Sequence, residues 1–317
     1  MRLGQNPAKF ISTVAQPAPV TVTVVNCIPL LSGFHMQSLD VLKACLSSLR
    51  ENTDNPFDLM VFDNHSCREV REYLSDAFEQ GVIQYLVLSD TNIGKIGAWN
   101  FMFGAAQGKY VGFSDSDIYF RPNWLSASLE LFDAFPDVGM VTGRPLRTRM
   151  ELSTATLEWG REESHGMEEG AFIDWDTYNE HESSLGHPDE DIHKQFQSRN
   201  DFRLSRGGYR AYIGAGHFQF LTRKSVLDQI MPLESEKPMR GESVIEVEIN
   251  RLKYLRLCTE KPYVMHMGNW VPETLRPSKP LRRQHPFLRK LLWSRPIRYV
   301  LLGAYSNIFR WYFENVE

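Results

Sequence analysis

The chain has 317 residues, of which 42% are hydrophobic and 23% are charged, and this is enough for one large α/β domain or one domain with an insertion. Its formal net charge is −4, and it has neither zinc-finger spacing nor an aromatic RNA-binding motif, so we expect no nucleic-acid partner.

Cysteine usage and hydropathy indicate the compartment. The four cysteines are scattered without a CxxC pair, and residues 1–20 lack the apolar core of a signal peptide. The longest apolar run, 299–305, is far shorter than the roughly 18 residues of a spanning helix. These features predict a cytoplasmic protein that does not cross a membrane.

Strand patterns alternate with helix patterns along the first part of the chain. Apolar and β-branched residues predict strands at 21–27, 57–62, 82–88, 110–113 and 138–142, and helical periodicity predicts helices at 38–50, 68–78 and 98–107. This alternation predicts an α/β fold, a mostly parallel Rossmann-like sheet with helices on both faces. In such sheets, ligands bind beyond the carboxyl ends of the strands.

Two acids follow the strand at 110–113. Asp115 and Asp117 are separated by Ser116, and in extended backbone side chains two apart project from the same face. Both acids can therefore approach one hard cation and its diphosphate. Such acids also commonly form a solvated turn or cap a helix. The segment 92–100, NIGKIGAWN, favours the metal–diphosphate interpretation, because it leads into a small-residue helix that ends just before the acidic strand.

This order of elements resembles the donor half of the GT-A glycosyltransferases of family 2. The segments 20–27, 59–63, 92–100 and 110–117 carry the resemblance, within residues 20–145. The opening strand departs from the family's usual Pro-Thr-Tyr-Asn and reads VNCIP. The resemblance implies a GT-A (nucleotide-diphospho-sugar transferase) fold, a nucleotide-sugar donor, with UDP-sugars favoured, and Mn²⁺ or Mg²⁺ as cofactor.

The resemblance also implies which residues form the donor site. Asp63 occupies the position at which a family acid bonds the donor base, and Asp115 would hold the ribose or a metal-bound water. Lys95 would neutralise phosphate charge. Asp117 would be a metal ligand, and His266, in the segment MHMGN, resembles a late family histidine that completes the metal's coordination. The remaining predicted donor-site residues are Asn26, Asn92, Asn100 and Ser116.

The family's catalytic base comes from an acidic motif at the start of a late helix. Here that region, 241–250, reads GESVIEVEIN and lacks the usual Glu-Asp pair. We predict Glu246 as the base, with Glu242 and Glu248 as rivals, in an amphipathic helix over 243–257 that leads to a short strand at 263–266. Ser243 and Glu246 also fit a capping box, in which the glutamate bonds the backbone N–H of the cap residue.

An acidic stretch interrupts the regular pattern. Residues 151–201 hold 14 acidic and three basic residues. They are either a solvated surface excursion or an acceptor-side subdomain whose aromatic rings stack on sugars. Its four histidines lack the paired spacing of a zinc site, so we expect them at the surface. Within 209–221, the glycines of GAGH at 214–217 would let the backbone approach a ligand or another strand.

The last segment is basic. Residues 274–313 contain nine Lys or Arg and no acid, interleaved with aromatic and aliphatic residues. Such a tail can bind an anionic membrane surface, here the inner face of the membrane, or pack on the domain. We therefore divide the chain into an extension (1–19), a donor half (20–145), an acidic insertion or lid (146–208), an acceptor half (209–273) and this tail (274–317).

These features predict an inverting, divalent-metal-dependent glycosyltransferase that moves a sugar from a nucleoside-diphosphate donor to a glycan or lipid-linked acceptor. Two alternatives remain. One is a sugar nucleotidyltransferase, which would need a Gly-rich basic loop after the first strand that residues 27–34 do not supply. The other is a catalytically inactive glycan- or lipid-binding module that keeps the fold.

Overall fold

The structure is a computed structural model and describes residues 6–162, 166–234 and 241–275, with positions 304 and 307. Contacts divide the chain into two units, residues 1–272 and 273–317. In the second unit the described part is a single helical turn, Glu273–Leu275, and the two isolated positions. The predicted basic tail and its membrane contact therefore lie outside the described residues, apart from these positions.

The first unit is built from alternating strands and helices. The strands are β1 (Val20–Asn26), β2 (Phe57–Asn64), β3 (Tyr85–Ser89), β4 (Tyr110–Asp115), β5 (Ile118–Phe120), β6 (Val138–Thr142), β7 (Met167–Gly170), β8 (Asp201–Arg206), β9 (Tyr209–Ile213), β10 (Gln219–Arg223), β11 (Leu255–Thr259) and β12 (Val264–His266). The helices are α1 (Ser38–Glu51), α2 (Arg68–Glu79), α3 (Gly94–Ala105), α4 (Trp124–Ala134), α5 (Thr154–Gly160), α6 (Trp175–Ser184), α7 (Asp189–Ser198), α8 (Lys224–Ile230) and α9 (Val244–Arg251). The predicted α/β class is confirmed.

The central sheet has the order β3-β2-β1-β4-β10-β6-β11-β9-β8-β7. Strands β3, β2, β1 and β4 pair in parallel, as the alternating sequence pattern predicts. Strand β10 enters antiparallel between β4 and β6, and β11 returns parallel to β6. The carboxyl ends of β1, β2 and β4 therefore share one edge of the sheet.

Helix α3 packs against the sheet through its aromatic residues. Trp99 and Phe103 are fully buried and contact Phe113 of β4 and Phe220 of β10, with ring centroids 5.1–6.4 Å apart. Edge-to-face aromatic pairs of this kind add stabilisation beyond their buried area. This packing fixes the start of α3 relative to the end of β4.

The acidic stretch 151–201 contains regular structure. It provides α5, α6, α7 and β7, and its last residue begins β8. Strand β8 pairs with β9, so β7 and β8 extend the central sheet at one edge. Tyr178, Ile173 and Ile192 of this stretch pack with Tyr212 of β9 and Leu146. The stretch is therefore joined to the central sheet by strand pairing and by a small apolar core.

The predicted helix at 243–257 is wrong in its second half. Helix α9 ends at Arg251, Lys253 adopts a left-handed conformation with φ of 64°, and Leu255–Thr259 forms β11 against β6 and β9. Arg256 matched the spacing of an apolar helix face, but it is a fully buried strand residue. Short apolar runs fit both periods, and strand pairing decides between them.

Among the described residues, we find no helix with the length and apolar character needed to span a bilayer.

Gly108 precedes β4 at a close crossing of two backbones. A Cβ there would lie 2.6 Å from the backbone N of Thr21 and 2.9 Å from the carbonyl O of Tyr110. We expect Gly108→Ala to lower the free energy of unfolding by about 1–3 kcal/mol, because the strands must separate. Gly104→Ala is the control: a Cβ at this α3 position meets nothing within 4 Å and should stabilise by about 0.5–1 kcal/mol. Urea unfolding measures both, and equal effects would contradict the packing described.

Candidate functional site

Polar residues meet where β1, β2 and β4 end. The strand register places Asn26 beside Asp63, and Val25 beside Asp115. These three polar residues were predicted from separate segments, and the parallel pairing brings them to one edge of the sheet.

Asn26 and Asp63 bond each other inside the protein. Asn26 Nδ2 donates to Asp63 Oδ1 at 3.0 Å and to Ser66 Oγ at 2.9 Å, and the backbone N–H of Ser66 donates to Asp63 Oδ2 at 3.1 Å. Asp63 is fully buried and Asn26 nearly so. The two residues therefore form a buried, hydrogen-bonded pair at this edge of the sheet. A contact of Asp63 with a donor base stays a prediction.

Asn64 was missed by the sequence analysis and holds the start of α3. Its Nδ2 donates to Asn92 Oδ1 at 2.9 Å and to the carbonyl of Gly94 at 3.2 Å, and its Oδ1 accepts from the backbone N–H of Ile93 at 2.9 Å. Gly94 has a φ of 74°, a left-handed conformation that glycine adopts without strain. Asn92 therefore supports the loop through Asn64. The sequence feature that could have identified Asn64 is its position as a polar residue directly after Asp63.

Lys95 projects from the first turn of α3 onto Asp115. Its Nζ lies 2.6 Å from Asp115 Oδ1 and also lies over the rings of Trp99 and Phe113. Burial raises the pKa of the Asp115 carboxyl, the charge of Lys95 opposes this rise, and Asp117 adds to it. The ammonium group of Lys95 and the carboxylate of Asp115 thus form an ion pair at the end of β4.

Asn100 and Ser116 were also predicted to lie in the donor site. Asn100 donates from Nδ2 to the carbonyl of Leu233 at 2.8 Å and accepts from its backbone N–H at 2.9 Å, so its amide holds the segment after α8. Ser116 is partly exposed in the turn between Asp115 and Asp117.

A two-stranded ribbon brings His266 to Asp117. Strand β12 pairs antiparallel with β5, so that His266 lies opposite Ile118, and the backbone N–H of Met267 donates to the carbonyl of Asp117 at 2.8 Å. His266 Nε2 then lies 3.3 Å from Asp117 Oδ2, and its Nδ1 lies 2.9 Å from Ser184 Oγ. Burial lowers the pKa of His266, but the hydrogen bond and charge of Asp117 outweigh burial and raise it.

The other carboxylate oxygen of Asp117 is buried and has no hydrogen-bond partner among the described residues. A buried carboxylate oxygen without a hydrogen bond is costly, and the described residues do not supply a partner for this one. In the described part of the chain, no group of three or more His, Cys, Asp or Glu side chains could hold a metal ion by itself. Asp117 and His266 can thus contribute two ligands to a site that a substrate would have to complete.

A buried layer supports this pair. Arg144 is fully buried, donates to the carbonyls of Thr177 at 2.7 Å and Val264 at 3.3 Å, and lies 3.6 Å from Glu180. His181 is buried beside His266, with ring centroids 6.1 Å apart, whereas we had expected it at the surface. Burial and then the charge of Arg144 lower the pKa of His181 well below its ordinary value. His181 is therefore neutral at pH 7.

Glu246 lies in the first turn of α9 with 7% of its side chain exposed. Its Oε1 lies 2.8 Å from His217 Nδ1, and its Oε2 lies 3.0 Å from a guanidinium nitrogen of Arg256. Ser243 makes no side-chain capping bond, so the capping-box alternative does not describe this helix start. The predicted base is a buried carboxylate between a half-exposed imidazole and a buried cation.

His217 was also missed as a site residue, although it stands in the singled-out GAGH segment. A Cβ at Gly214, whose φ is 118°, would lie 2.1 Å from Thr148 Oγ1, so this glycine serves close packing against protein. The backbone carbonyl of Phe218, the residue after His217, accepts from the backbone N–H of Asp115 at 2.8 Å. The loop thus connects His217 to the end of β4.

Several known proteins are similar to this chain. A family model described as glycosyl transferase family 2 matches residues 34–229. An uncharacterized glycosyltransferase of Nostoc sp. is 27% identical over 100 residues, which are 32% of this chain and 31% of that protein. The chain therefore spans about a third of that curated relative.

Similar solved structures have lower identity. TarS of S. aureus, residues 1–349, is 15% identical with a TM-score of 0.44 and aligns over 77% of this chain and 59% of its own. A mannosyltransferase of Pyrobaculum calidifontis in complex with GDP-Man and Mn²⁺ is 13% identical with a TM-score of 0.44, over 78% and 55%. GalNAc-T7 with UDP, GalNAc and Mn²⁺ is 12% identical with a TM-score of 0.48, over 87% and 48%.

The buried neutral state of His181 predicts a pH dependence of stability. Because its pKa is lowered in the folded state, the unfolded chain binds a proton below about pH 6.5 that the folded protein does not bind. The free energy of unfolding of the wild type, relative to that of His181→Phe, should therefore decrease as the pH is lowered from 7.5 to 5.5. The decrease is at most about 1.4 kcal/mol per pH unit. Urea unfolding at each pH measures this difference.

The matched control is His187→Phe. His187 lies in the same acidic stretch but is exposed, so its substitution tests the removal of a histidine that is not buried. A pH-independent difference between wild type and His181→Phe would contradict the buried neutral state.

Proposed function

Because the chain belongs to glycosyl transferase family 2, we propose that it transfers a sugar from a nucleoside-diphosphate donor, a UDP-sugar being favoured, to a hydroxyl of a glycan or lipid-linked acceptor. The transfer inverts the configuration at the anomeric carbon. The observation that carries this proposal is the meeting of Asp117 and His266, 3.3 Å apart, at the edge where β4 ends. That edge is where open α/β sheets bind their ligands.

In this proposal the donor lies across the ends of β1, β2 and β4. Lys95 would place a positive charge against the diphosphate, and its present partner Asp115 would turn to the ribose or to a metal-bound water. Asn92 and Asn64 hold the N-terminal turn of α3 that carries Lys95. Asn26 and Asp63 form the buried floor beneath the nucleoside.

Asp117 and His266 fit a divalent cation, Mn²⁺ or Mg²⁺. The observation that tests this fit is the buried Oδ1 of Asp117, which lacks a partner in the part of the chain that the structure describes and which a cation would satisfy. Carboxylate and phosphate oxygens are preferred ligands of these ions. When bound, the cation neutralises negative charge that develops on the departing diphosphate. Ser184 orients the His266 ring through Nδ1, as the hydrogen-bond partners of metal-binding histidines do.

The acceptor hydroxyl must lose a proton as it attacks. Glu246 was predicted for this role, and it stands next to the loop that reaches Asp115. The acceptor itself, and any association of residues 274–313 with the inner face of the membrane, rest on the sequence alone.

Asp117→Asn tests the proposal. Removing one carboxylate charge should lower the release of nucleoside diphosphate by about 100-fold or more, because the cation contributes several kcal/mol to the transition state. Calorimetry should show that Mn²⁺ no longer strengthens binding of the nucleoside diphosphate. Asp133→Asn, on the exposed face of α4, is the matched control and should behave as wild type.

Wild-type turnover by Asp117→Asn in the presence of Mn²⁺ would contradict the metal assignment. A wild type that binds nucleoside diphosphate with Mn²⁺ but never turns over any sugar donor would favour the inactive binding module.

A further inference from the structure

His217 combines exposure with a fixed orientation. Its side chain is 38% exposed, and its Nδ1 lies 2.8 Å from Glu246 Oε1. A carboxylate can only accept a hydrogen bond, so the neutral imidazole must carry its hydrogen on Nδ1. Its Nε2 then presents a lone pair, and no hydrogen bond to Nε2 occurs within the described parts of the chain.

Glu246 is held from the other side by Arg256. The guanidinium of Arg256 is fully buried and also bonds the carbonyls of Leu152 and Ala215. With both oxygens engaged and 7% exposure, the Glu246 carboxylate is fixed in place. A hydroxyl arriving from solvent therefore meets the imidazole of His217 before it can meet the carboxylate.

His217 also stands next to the donor edge. The neighbouring residue, Phe218, accepts from the backbone N–H of Asp115 at 2.8 Å, and its ring lies 6.2 Å from that of His266. An acceptor placed between the imidazole and the end of β4 would lie beside the donor diphosphate.

We propose that His217 is the catalytic base and that Glu246 is a positioning residue that fixes its tautomer; this rests on the proposed function. The proton of the acceptor hydroxyl moves to His217 Nε2, and the oxygen forms a bond to the anomeric carbon. The bond between that carbon and the diphosphate oxygen breaks, and its electron pair leaves with the diphosphate. Glu246 stabilises the resulting imidazolium.

Glu246→Gln gives a sharp test, because it should reverse the tautomer. Arg256 only donates, so the new amide oxygen turns to Arg256 and the amide NH₂ donates to His217 Nδ1. The hydrogen of the ring then lies on Nε2, which can no longer accept a proton. His217→Ala removes the base itself, and His187→Ala removes an exposed His–Glu pair of the same 2.8 Å length as a control.

The assay uses the full chain, Mn²⁺ and a panel of UDP-glucose, UDP-N-acetylglucosamine and GDP-mannose, with water as the acceptor. Release of nucleoside diphosphate should fall about 10²–10⁴-fold in His217→Ala and in Glu246→Gln, and no further in the double variant. Calorimetric affinity for UDP with Mn²⁺ should stay within twofold of wild type, which also reports that the variants fold. Added imidazole should restore release in His217→Ala and not in Glu246→Gln.

Retention of wild-type release by His217→Ala, with loss in Glu246→Gln, would overturn the proposal and make Glu246 the base. Loss in His217→Ala together with loss of UDP affinity would also overturn it, because His217 would then serve donor binding. Failure of the proposed function is distinct: the wild type itself would then show neither Mn²⁺-dependent UDP affinity nor release from any donor.

Discussion

The pairing of β5 with β12 is the constraint on which the proposed chemistry depends. These strands lie some 145 residues apart in the chain, yet their register sets His266 opposite Ile118 and therefore beside Asp117. Without this two-stranded ribbon, Asp115 and Asp117 would lie in a turn at the edge of the sheet, beside the ammonium group of Lys95. With it, an imidazole nitrogen lies 3.3 Å from Asp117 Oδ2, while Asp117 Oδ1 is buried without a partner among the described residues. In the proposed function, a cation that arrives with the diphosphate would complete this pair of ligands.

Charge around this space is arranged in layers. Lys95 and Asp115 stand at the edge, while Arg144 and the neutral His181 lie buried behind His266. Buried polar groups around His266 hold its ring in one orientation and raise the strength of each electrostatic contact. In the loop that carries His217, a buried carboxylate holds the half-exposed imidazole of His217 and is itself held by a buried guanidinium. In both places an acid lies close to a histidine, but Asp117 is more exposed than His266, whereas Glu246 is more buried than His217.

The sequence predicted the parallel half of the sheet well, because alternating apolar periods of two and 3.6 residues report local structure directly. It also placed Asp117 and His266 in one site, but through resemblance, since nothing local in MHMGN reveals its partner strand. Three features escaped it. Asn64 acts through backbone groups of a distant loop, His217 acts through a helix that follows later in the chain, and Arg256 has the spacing of a helix face although it lies in β11. Each depends on long-range pairing, which residue type and spacing do not encode.

The most direct measurement is pulsed electron paramagnetic resonance of Mn²⁺ bound with UDP to protein that carries ¹⁵N-labelled histidine. We expect a magnetic coupling between the manganese and one histidine nitrogen, present in the wild type and absent in His266→Ala. Phosphorus couplings from the diphosphate should appear in the same spectrum. Phosphorus couplings without any histidine coupling would show that the cation binds elsewhere, and would contradict the joint role of Asp117 and His266.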